Sequence, residues 1–228
     1  MKEISVLFIG NSYTFYNSMP TSIFLPMAES VGARVRVEAI TKGAYRLSRF
    51  ANPDDEQGAR VAAALAEGGR YDFVILQEQS LAPAAKDTSS FYGAAAMLID
   101  RVRAVGATPI LYSTWGRKDG HDALEKNGWT SGEMTDRLAS AYQRVGDETD
   151  TAVAHVGLAF REIYTSGLGI ELYNEDLSHP SYAGSYLAAA VLAARLLEID
   201  PTEIAFFGEL SETEAKHLLA AARNAAAK

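Results

Sequence analysis

The stretch ISVLFIGNSYT, residues 4–14, decides how the rest of the chain is interpreted. Residues 4–10 form a short apolar run rich in β-branched side chains, which is typical of a strand covered on both faces. The run then ends abruptly in Gly10, Asn11, Ser12, Tyr13 and Thr14. Because glycine permits a tight turn and a close approach of the backbone, the stretch predicts a buried strand followed at once by a polar turn.

Apolar runs alternate with helical patterns along the rest of the chain. Further strands are predicted at residues 34–40, 71–77, 108–114 and 151–157, and helices at residues 18–32, 56–69, 89–106, 134–149, from about 180, and at 212–228 as a fraying surface helix. This order favours a mostly parallel sheet with helices on both faces, a doubly wound α/β sandwich. No repeat or long linker divides the sequence, so one domain covering residues 1–228 is expected.

Composition disfavours several kinds of partner and site. The formal net charge of -8 disfavours nucleic acid and anionic membrane surfaces, because both repel an acidic protein. The absence of cysteine excludes disulfides, thiolate nucleophiles and cysteine metal sites. No stretch approaches the roughly 20 apolar residues of a membrane span. Residues 1–10 lack a signal-peptide pattern, so the sequence favours a cytoplasmic protein, or a secreted one if a signal peptide has been removed.

Polar loops follow the predicted strands at the edge of the sheet where ligands of open α/β folds bind. Ser12 stands in the first of these loops, and Asp176 and His179 precede the last helix. A serine becomes a nucleophile only with a base in reach and a group that orients the base. Asp176 and His179 can supply both from one short turn. The alternative is that Ser12 and Thr14 only cap the next helix.

These motifs resemble the SGNH (GDSL-like) hydrolases, a family of flavodoxin-like esterases. The segment GNSY at residues 10–13 is similar to the first block of that family, and DLSH at 176–179 is similar to its last block. The resemblance implies a flavodoxin-like three-layer α/β/α sandwich with a mostly parallel five-stranded sheet. It also implies that Ser12 is the nucleophile, His179 the general base and Asp176 its orienting acid.

The resemblance further implies an oxyanion hole that includes the N–H of Ser12. Gly43 matches the position of the loop glycine whose N–H helps to bind the oxyanion. The usual third block, Gly-x-Asn-Asp, is absent, and LQEQS at residues 76–80 is similar to the glutamine-bearing version of carbohydrate acetylesterases. Gln77, which ends the predicted strand, is the first choice for a side-chain donor, and Gln79 is the second. The alternatives are that Gln77 is a buried amide satisfying the strand end and that Gly43 is an ordinary turn glycine.

Aromatic and histidine side chains supply weaker candidates. Tyr45, Trp115 and Trp129 are interpreted as exposed rings that could stack on a sugar, with packing inside the loops as the alternative. His121 could line a substrate site or lie on plain surface. The other two histidines, His155 and His217, are interpreted as a packed core residue and a solvated one.

No cofactor is indicated, because no histidine pair has metal-ligand spacing and no phosphate-binding glycine motif is present. The sequence therefore predicts a cofactor-independent serine esterase. By resemblance, it removes short acyl groups such as acetate from a carbohydrate or similar small ester. One alternative is a lipid esterase or thioesterase, which would need an apolar acyl channel. Another is a noncatalytic carbohydrate-binding relative, which would not hydrolyse 4-nitrophenyl acetate.

Overall fold

A five-stranded sheet forms the centre of the molecule. The structure, a computed structural model, describes residues 3–227. The strands are β1 (Ile4–Gly10), β2 (Val35–Thr41), β3 (Phe73–Leu76), β4 (Thr108–Ser113) and β5 (Ala152–His155). They are hydrogen-bonded in the order β2-β1-β3-β4-β5, and every neighbouring pair is parallel. The predicted α/β class is confirmed, and the sheet expected to be mostly parallel is parallel throughout these strands.

The first strand is buried on both faces, as its composition predicts. Val6 and Phe8 pack into the core on one face of the sheet, and Leu7 and Ile9 into the core on the other. All four side chains are inaccessible to solvent. Burying a side chain of this size stabilises the fold by about 1.5–3 kcal/mol, so both faces of β1 require a cover of helices.

Helices supply that cover on each side. Within residues 3–227 the α-helices are α1 (Ser12–Phe15), α2 (Leu25–Ser30), α3 (Leu47–Ala51), α4 (Glu56–Ala64), α5 (Ser89–Ala104), α6 (Asp122–Asn127), α7 (Ser131–Thr149), α8 (Val156–Thr165), α9 (Tyr182–Leu197) and α10 (Glu212–Ala226). Helices α2, α8, α9 and α10 cover the face of Phe8, and α3, α4, α5 and α7 cover the face of Leu7. In this described part of the chain, no helix is long and apolar enough to cross a membrane.

The segment between α1 and α2 is helical but irregular. A single helix is predicted at residues 18–32, whereas the structure has a 3₁₀ turn at Tyr16–Ser18 and a π-helical turn at Met19–Phe24 before α2 begins. Asn17 has a φ of 54°, which interrupts the helix. Pro26 has no N–H to donate, so a regular ladder of N–H to C=O(i−4) bonds cannot run through it.

Two elements near the carboxyl end differ from the prediction. The apolar run at 151–157 is strand only to His155, and α8 begins at the next residue without having been predicted. The helix expected to fray on the surface instead packs against the core through Ala215, Leu218, Leu219, Ala221, Ala222 and Ala225. Its alanines allow a close approach to α9, because they have little side chain to hold the backbones apart. Residue 228 of that prediction lies outside the described residues.

Two histidines outside the site lie where the sequence predicts. His155, at the end of β5, is 5% exposed, and its Nε2 is hydrogen-bonded to Gln143 Oε1 at 2.8 Å. His217 is exposed on α10. Neither side chain lines the cavity described below, so both are structural or solvated groups.

The strand register brings several loops together at one edge of the sheet. Gly10, at the end of β1, pairs with Thr41, at the end of β2. Ile9 pairs with Leu76, the last residue of β3, and Leu76 with Leu111 of β4. Because these strands are parallel, the loops that follow them converge on one crevice.

Candidate active site

Ser12 is the first residue of α1 and directly follows the sharp turn after β1. The preceding residue, Asn11, caps the helix, because its side-chain oxygen accepts the N–H of Tyr13 at 3.1 Å. The Asn11 amide also donates to the carbonyl of Tyr45 at 3.1 Å. Capping therefore falls to Asn11 and not to Ser12 or Thr14. Ser12 lines a cavity of about 560 Å³ at the carboxyl edge of the sheet.

The turn is tight because Gly10 has no side chain. A Cβ at this position would lie 2.5 Å from Thr14 Oγ1 and 2.6 Å from Gln77 Oε1. Gln77 Oε1 accepts the N–H of Asn11 at 2.8 Å and the hydroxyl of Thr14 at 2.9 Å, and its amide nitrogen donates to the carbonyl of Glu78. Gln77 is fully buried and does not line the cavity. The expected oxyanion donor thus braces the turn beneath Ser12 instead of facing the substrate space.

His179 reaches Ser12 from the loop before α9. Its Nε2 lies 2.9 Å from Ser12 Oγ, and its Nδ1 is hydrogen-bonded to Asp176 Oδ2. Asp176 Oδ1 accepts the N–H groups of Ser178 at 3.0 Å and His179 at 2.9 Å. Desolvation acts to raise the pKa of Asp176, but these hydrogen bonds outweigh it and hold the pKa below its usual value. The three side chains form one hydrogen-bonded chain suited to taking a proton from Ser12.

Aromatic rings hold the His179 loop in position. Tyr16 stacks on the imidazole of His179, with ring centroids 4.3 Å apart and planes 11° apart. Tyr13 stacks on Trp115 at 4.6 Å, and Trp115 Nε1 donates to the carbonyl of Ser178 at 3.1 Å. Trp115 is fully buried, so the expectation of an exposed sugar-stacking ring is wrong for this residue. Its indole instead anchors the loop that carries His179.

Two backbone N–H groups belong to residues that line the cavity and have no acceptor among residues 3–227. Ser12 is the first residue of α1, so its N–H has no acceptor within the helix. Gly43 lies in the turn after β2 that is closed by the N–H of Tyr45 and the carbonyl of Lys42 at 3.2 Å. Among residues 3–227 the Gly43 N–H finds no acceptor. Ser12 and Gly43 line the same cavity, and each leaves an N–H donor without an acceptor among these described residues.

Gln79 lines the same cavity. Its Oε1 accepts the N–H groups of Leu81 at 3.0 Å and Ala82 at 3.1 Å, which fixes the direction of the amide. Within the described residues, its Nε2 has only a long 3.4 Å contact to Ser80 Oγ. Gln79 therefore presents an oriented and nearly free donor, which Gln77 does not.

Glu78 joins two loops of the site from beneath. Its carboxylate accepts the N–H of Leu47 at 3.2 Å and the N–H of Gln79 at 2.5 Å. Leu47 opens α3, so this side chain ties the loop after β2 to the loop after β3. The residue is 1% exposed, and desolvation raises the pKa of Glu78 to about 7 although both hydrogen bonds act in the opposite direction.

We expect Glu78 to make stability depend on pH. Its pKa rises from an ordinary 4.5 to about 7 on folding, so the folded protein holds this proton more tightly than the unfolded chain. The stabilisation of the folded state by this proton is fully present below the pKa of Glu78 in the unfolded chain, and it is lost as the pH rises through about 7. Its size is about 3 kcal/mol at most. Urea denaturation should therefore show Glu78→Gln gaining stability relative to the wild type between about pH 5 and pH 8. Glu175→Gln, which changes an exposed neighbour of Asp176, is the control. If the difference in unfolding free energy between Glu78→Gln and the wild type stays constant over this pH range, this expectation is contradicted.

The other substrate-binding candidates are placed differently from one another. Tyr45 is 5% exposed and packs beneath Arg49, whose guanidinium lies 4.0 Å from the ring centroid. Trp129 carries Arg137 over its ring at 4.8 Å. Neither ring lines the cavity. Both pack within their loops, which the sequence allows as the alternative to stacking on a sugar. His121 does line the cavity, while its Nδ1 caps α6 by accepting a backbone N–H at 2.9 Å.

Several lining residues were not predicted from the sequence. They are Asn11, Tyr13, Phe15, Tyr16, Ala44, Ser80, Arg117 and Ser178. Arg117 donates to Ser178 Oγ at 2.9 Å and to Ser80 Oγ at 3.2 Å. Its position in the loop after β4 was a signal that it could reach the crevice, but no motif distinguished it from the other charged residues of that loop. Tyr16 had no local signal, because its stacking partner is 163 positions away in sequence, at His179.

Comparison with known proteins gives three informative similarities. A protein from Slackia heliotrinireducens, assigned to the SGNH hydrolases, is 37% identical, with a TM-score of 0.71, over 84% of this chain and 98% of its own. A DUF4886 family protein from Bacteroides uniformis is 18% identical, with a TM-score of 0.81, over 98% of this chain and 95% of its own. A variant of Axe2, an acetyl-xylooligosaccharide esterase from Geobacillus stearothermophilus, is 16% identical, with a TM-score of 0.58, over 89% of this chain and 94% of its own.

The last two similarities concern the fold alone. No protein-family model matches the sequence, and no curated protein matches it.

Proposed function

We propose a function from one premise: this chain belongs to the SGNH hydrolase family. The proposed function is that of a serine esterase which removes short acyl groups, such as acetate, from a carbohydrate or a similar small ester. The observation that carries the proposal is the 2.9 Å contact between Ser12 Oγ and His179 Nε2, with Asp176 on the other ring nitrogen. A serine, a base and an orienting acid in this geometry are the parts that acyl transfer requires.

In the proposed first half-reaction, neutral His179 takes the proton of Ser12 as Oγ attacks the ester carbonyl carbon. The carbonyl oxygen becomes an oxyanion that accepts hydrogen bonds from the N–H groups of Ser12 and Gly43 and from the Gln79 amide. Removing one preorganised donor of this kind typically raises the barrier by about 2.7–4 kcal/mol. The intermediate then collapses, and protonated His179 gives its proton to the departing alcohol, leaving an acyl group on Ser12.

The second half-reaction reverses these roles with water. His179 takes a proton from a water molecule that attacks the acyl carbon, and the same three donors bind the second oxyanion. His179 then returns the proton to Ser12 Oγ, and the acid leaves. Asp176 holds Nδ1–H throughout and stabilises the imidazolium that forms twice in each cycle.

The lining of the cavity supports a small substrate. Of the residues 3–227, those that line it include no leucine, isoleucine, valine or methionine. A lipid esterase or thioesterase would need an apolar channel for its acyl chain. Phe15, which lines the cavity and is 38% exposed, instead offers a ring on which a sugar could stack. The fold shared with Axe2, an acetyl-xylooligosaccharide esterase, supports acetyl removal from a carbohydrate.

The test is hydrolysis of 4-nitrophenyl acetate, butyrate and decanoate by the purified protein beside its Ser12→Ala variant. We expect the wild type to have the highest kcat/KM for the acetate. No hydrolysis of any of the three esters would overturn the esterase proposal and favour a noncatalytic relative. A preference for decanoate would favour the lipid esterase instead.

We expect Gln79→Ala to lower kcat by about 10²–10³-fold with little change in KM. The Nε2 donor meets its full negative charge only when the oxyanion forms, so its loss affects the transition state more than the bound ester. Gln77→Ala should instead lower the free energy of unfolding, because it leaves the buried Asn11 N–H and Thr14 hydroxyl without their acceptor. Steady-state kinetics and urea denaturation on both variants separate the two roles.

Gln79→Glu is the matched control for this loop. A carboxylate oxygen can still accept the N–H groups of Leu81 and Ala82, whereas the donor is replaced by a group that repels an oxyanion. We therefore expect Gln79→Glu to lose at least as much kcat as Gln79→Ala. If Gln79→Glu keeps its kcat while Gln79→Ala loses it, Gln79 only shapes the loop. If both keep it, the hole consists of backbone N–H groups alone.

A further inference from the structure

Arg117 brings a positive charge to the cavity that no described residue neutralises. Within residues 3–227 no carboxylate forms an ion pair with it. Its Nη1 and Nη2 groups contact the neutral hydroxyls of Ser178 and Ser80 at 2.9 and 3.2 Å, and Nη1 also lies 2.5 Å from His121 Nε2. Its Nε is buried and finds no acceptor in this described part of the chain. A partly buried cation without a counter-ion is costly to the fold.

The groups that face Arg117 do not offset this charge. Asp176 is the one carboxylate among the described residues that line the cavity, and its oxygens are occupied by His179 and by two backbone N–H groups. Burial and the adjacent Arg117 charge lower the pKa of His121, so that imidazole stays neutral near pH 7. The guanidinium of Arg117, between the hydroxyls of Ser80 and Ser178, is therefore a positive charge without a counter-ion among the described residues.

Arg117 contacts the two loops that carry Gln79 and His179. Its hydroxyl partner Ser80 immediately follows Gln79, and its partner Ser178 immediately precedes His179. Arg117 and Ser12 line the same cavity. A group bound by the guanidinium would thus be held beside an ester that is bound at Ser12.

We infer that Arg117 binds a carboxylate carried by the substrate, so that the preferred esters are acidic ones. This inference rests on the proposed esterase function and specifies its substrate class. One guanidinium matches the charge and the planar shape of one carboxylate. A phosphate dianion would keep an unbalanced charge beside Asp176, so the carboxylate is the better fit. Hydrogen bonds to charged groups of this kind increase the preference for a ligand by about 10- to 100-fold.

The test compares esters of the same carbon skeleton in which a carboxylate is replaced by an uncharged amide or methyl ester, each rate being divided by that ester's rate of uncatalysed hydrolysis. One series places a carboxylate on the alcohol part: 3- and 4-acetoxybenzoate beside the neutral 3- and 4-acetoxybenzamide. The other series places it on the acyl part: 4-nitrophenyl hydrogen adipate beside 4-nitrophenyl methyl adipate. We expect the wild type to favour the carboxylate in at least one series, with a ratio of kcat/KM of about 10- to 100-fold. Arg117→Gln should reduce that ratio to about 1, and Arg117→Lys, which keeps the charge, should restore part of it.

Lys118→Gln is the matched control. It removes the same charge one residue further along, from a side chain that pairs with Glu171 and does not line the cavity. A purely structural role for Arg117 would lower kcat/KM for charged and neutral esters alike and leave the ratio unchanged.

The inference is overturned if the wild type shows no preference for a carboxylate, or if the preference survives in Arg117→Gln or falls equally in Lys118→Gln. Turnover of 4-nitrophenyl acetate reports the esterase function separately. If that ester is hydrolysed and no carboxylate is preferred, the esterase proposal stands and Arg117 only joins two loops. If that ester is not hydrolysed, the esterase proposal fails, and the inference about its substrate fails with it.

Discussion

Replacing Ser12 with alanine is expected to lower kcat for 4-nitrophenyl acetate by about 10⁶-fold, the size of effect seen when a serine nucleophile is removed from a triad. The change removes the oxygen that forms the acyl-enzyme and leaves His179 with no proton to accept. The free energy of unfolding should change by less than about 0.5 kcal/mol. Among the described residues the Ser12 hydroxyl has one hydrogen-bond partner, His179 Nε2, and Ser12 lines the cavity.

Ser18→Ala is the matched control, because Ser18 is an exposed serine on the same segment with no side-chain hydrogen bond among the described residues. Its kcat should equal that of the wild type. A fluorophosphonate should add its mass to the peptide containing Ser12 in the wild type and in Ser18→Ala, and not in Ser12→Ala. If Ser12→Ala keeps its kcat within about tenfold, the nucleophile lies elsewhere and the proposed mechanism fails.

The site residues that can be predicted from the sequence are those whose neighbouring residues form a clear pattern. An apolar run ending in glycine marks the end of β1, and the strand-end rule places Ser12 in the crevice. The turn that holds Asp176 and His179 lies before a long apolar helix, and the structure brings its imidazole within 2.9 Å of Ser12 Oγ. The position of Ser12 follows from the period of the preceding strand, whereas Asp176 and His179 are candidates because of their spacing in one turn, and the roles of all three come from the family resemblance.

The choice between Gln77 and Gln79 needed information that a short sequence window does not contain. Gln77 continues β3 by donating its N–H to the carbonyl of Ile9 at 2.9 Å, and its side chain then turns under the tight bend at Gly10. Whether a residue at a strand end faces the crevice or the neighbouring turn depends on where the ladder ends. Boundaries of elements are the least predictable part of a sequence interpretation.

Tertiary packing explains the remaining differences. Trp115 follows β4 in a polar loop, which suggested exposure, but it is sandwiched between Tyr13 and Phe160 at 4.6 and 4.0 Å. These partners are more than 40 positions away from it in sequence. The buried face of α10 is likewise decided by α8 and α9, on which it packs. Composition alone could not reveal either partner.

Asp176→Asn is expected to lower kcat by about 10⁴-fold, by analogy with the same change in a serine protease triad. The two backbone N–H groups of Ser178 and His179 require an acceptor at the Oδ1 position. They therefore orient the new amide with its oxygen toward themselves and its NH₂ toward His179 Nδ1. A donor at that place favours the imidazole tautomer with its proton on Nε2, which turns an N–H toward Ser12 Oγ instead of the lone pair that must accept the serine proton.

Two measurements distinguish this tautomer effect from a collapsed loop. Nitrogen-15 NMR of the imidazole should show the proton on Nδ1 in the wild type and on Nε2 in Asp176→Asn, with circular dichroism unchanged. Glu175→Gln, which changes the same charge at the exposed neighbouring carboxylate, should keep both the wild-type tautomer and the wild-type kcat. If Asp176→Asn loses activity while His179 keeps its proton on Nδ1, the carboxylate acts through its charge on the imidazolium and not by selecting the tautomer. If kcat stays within about tenfold of the wild type, Asp176 is not the orienting acid, because the Nε2 lone pair of His179 would then still be directed at Ser12 without this carboxylate.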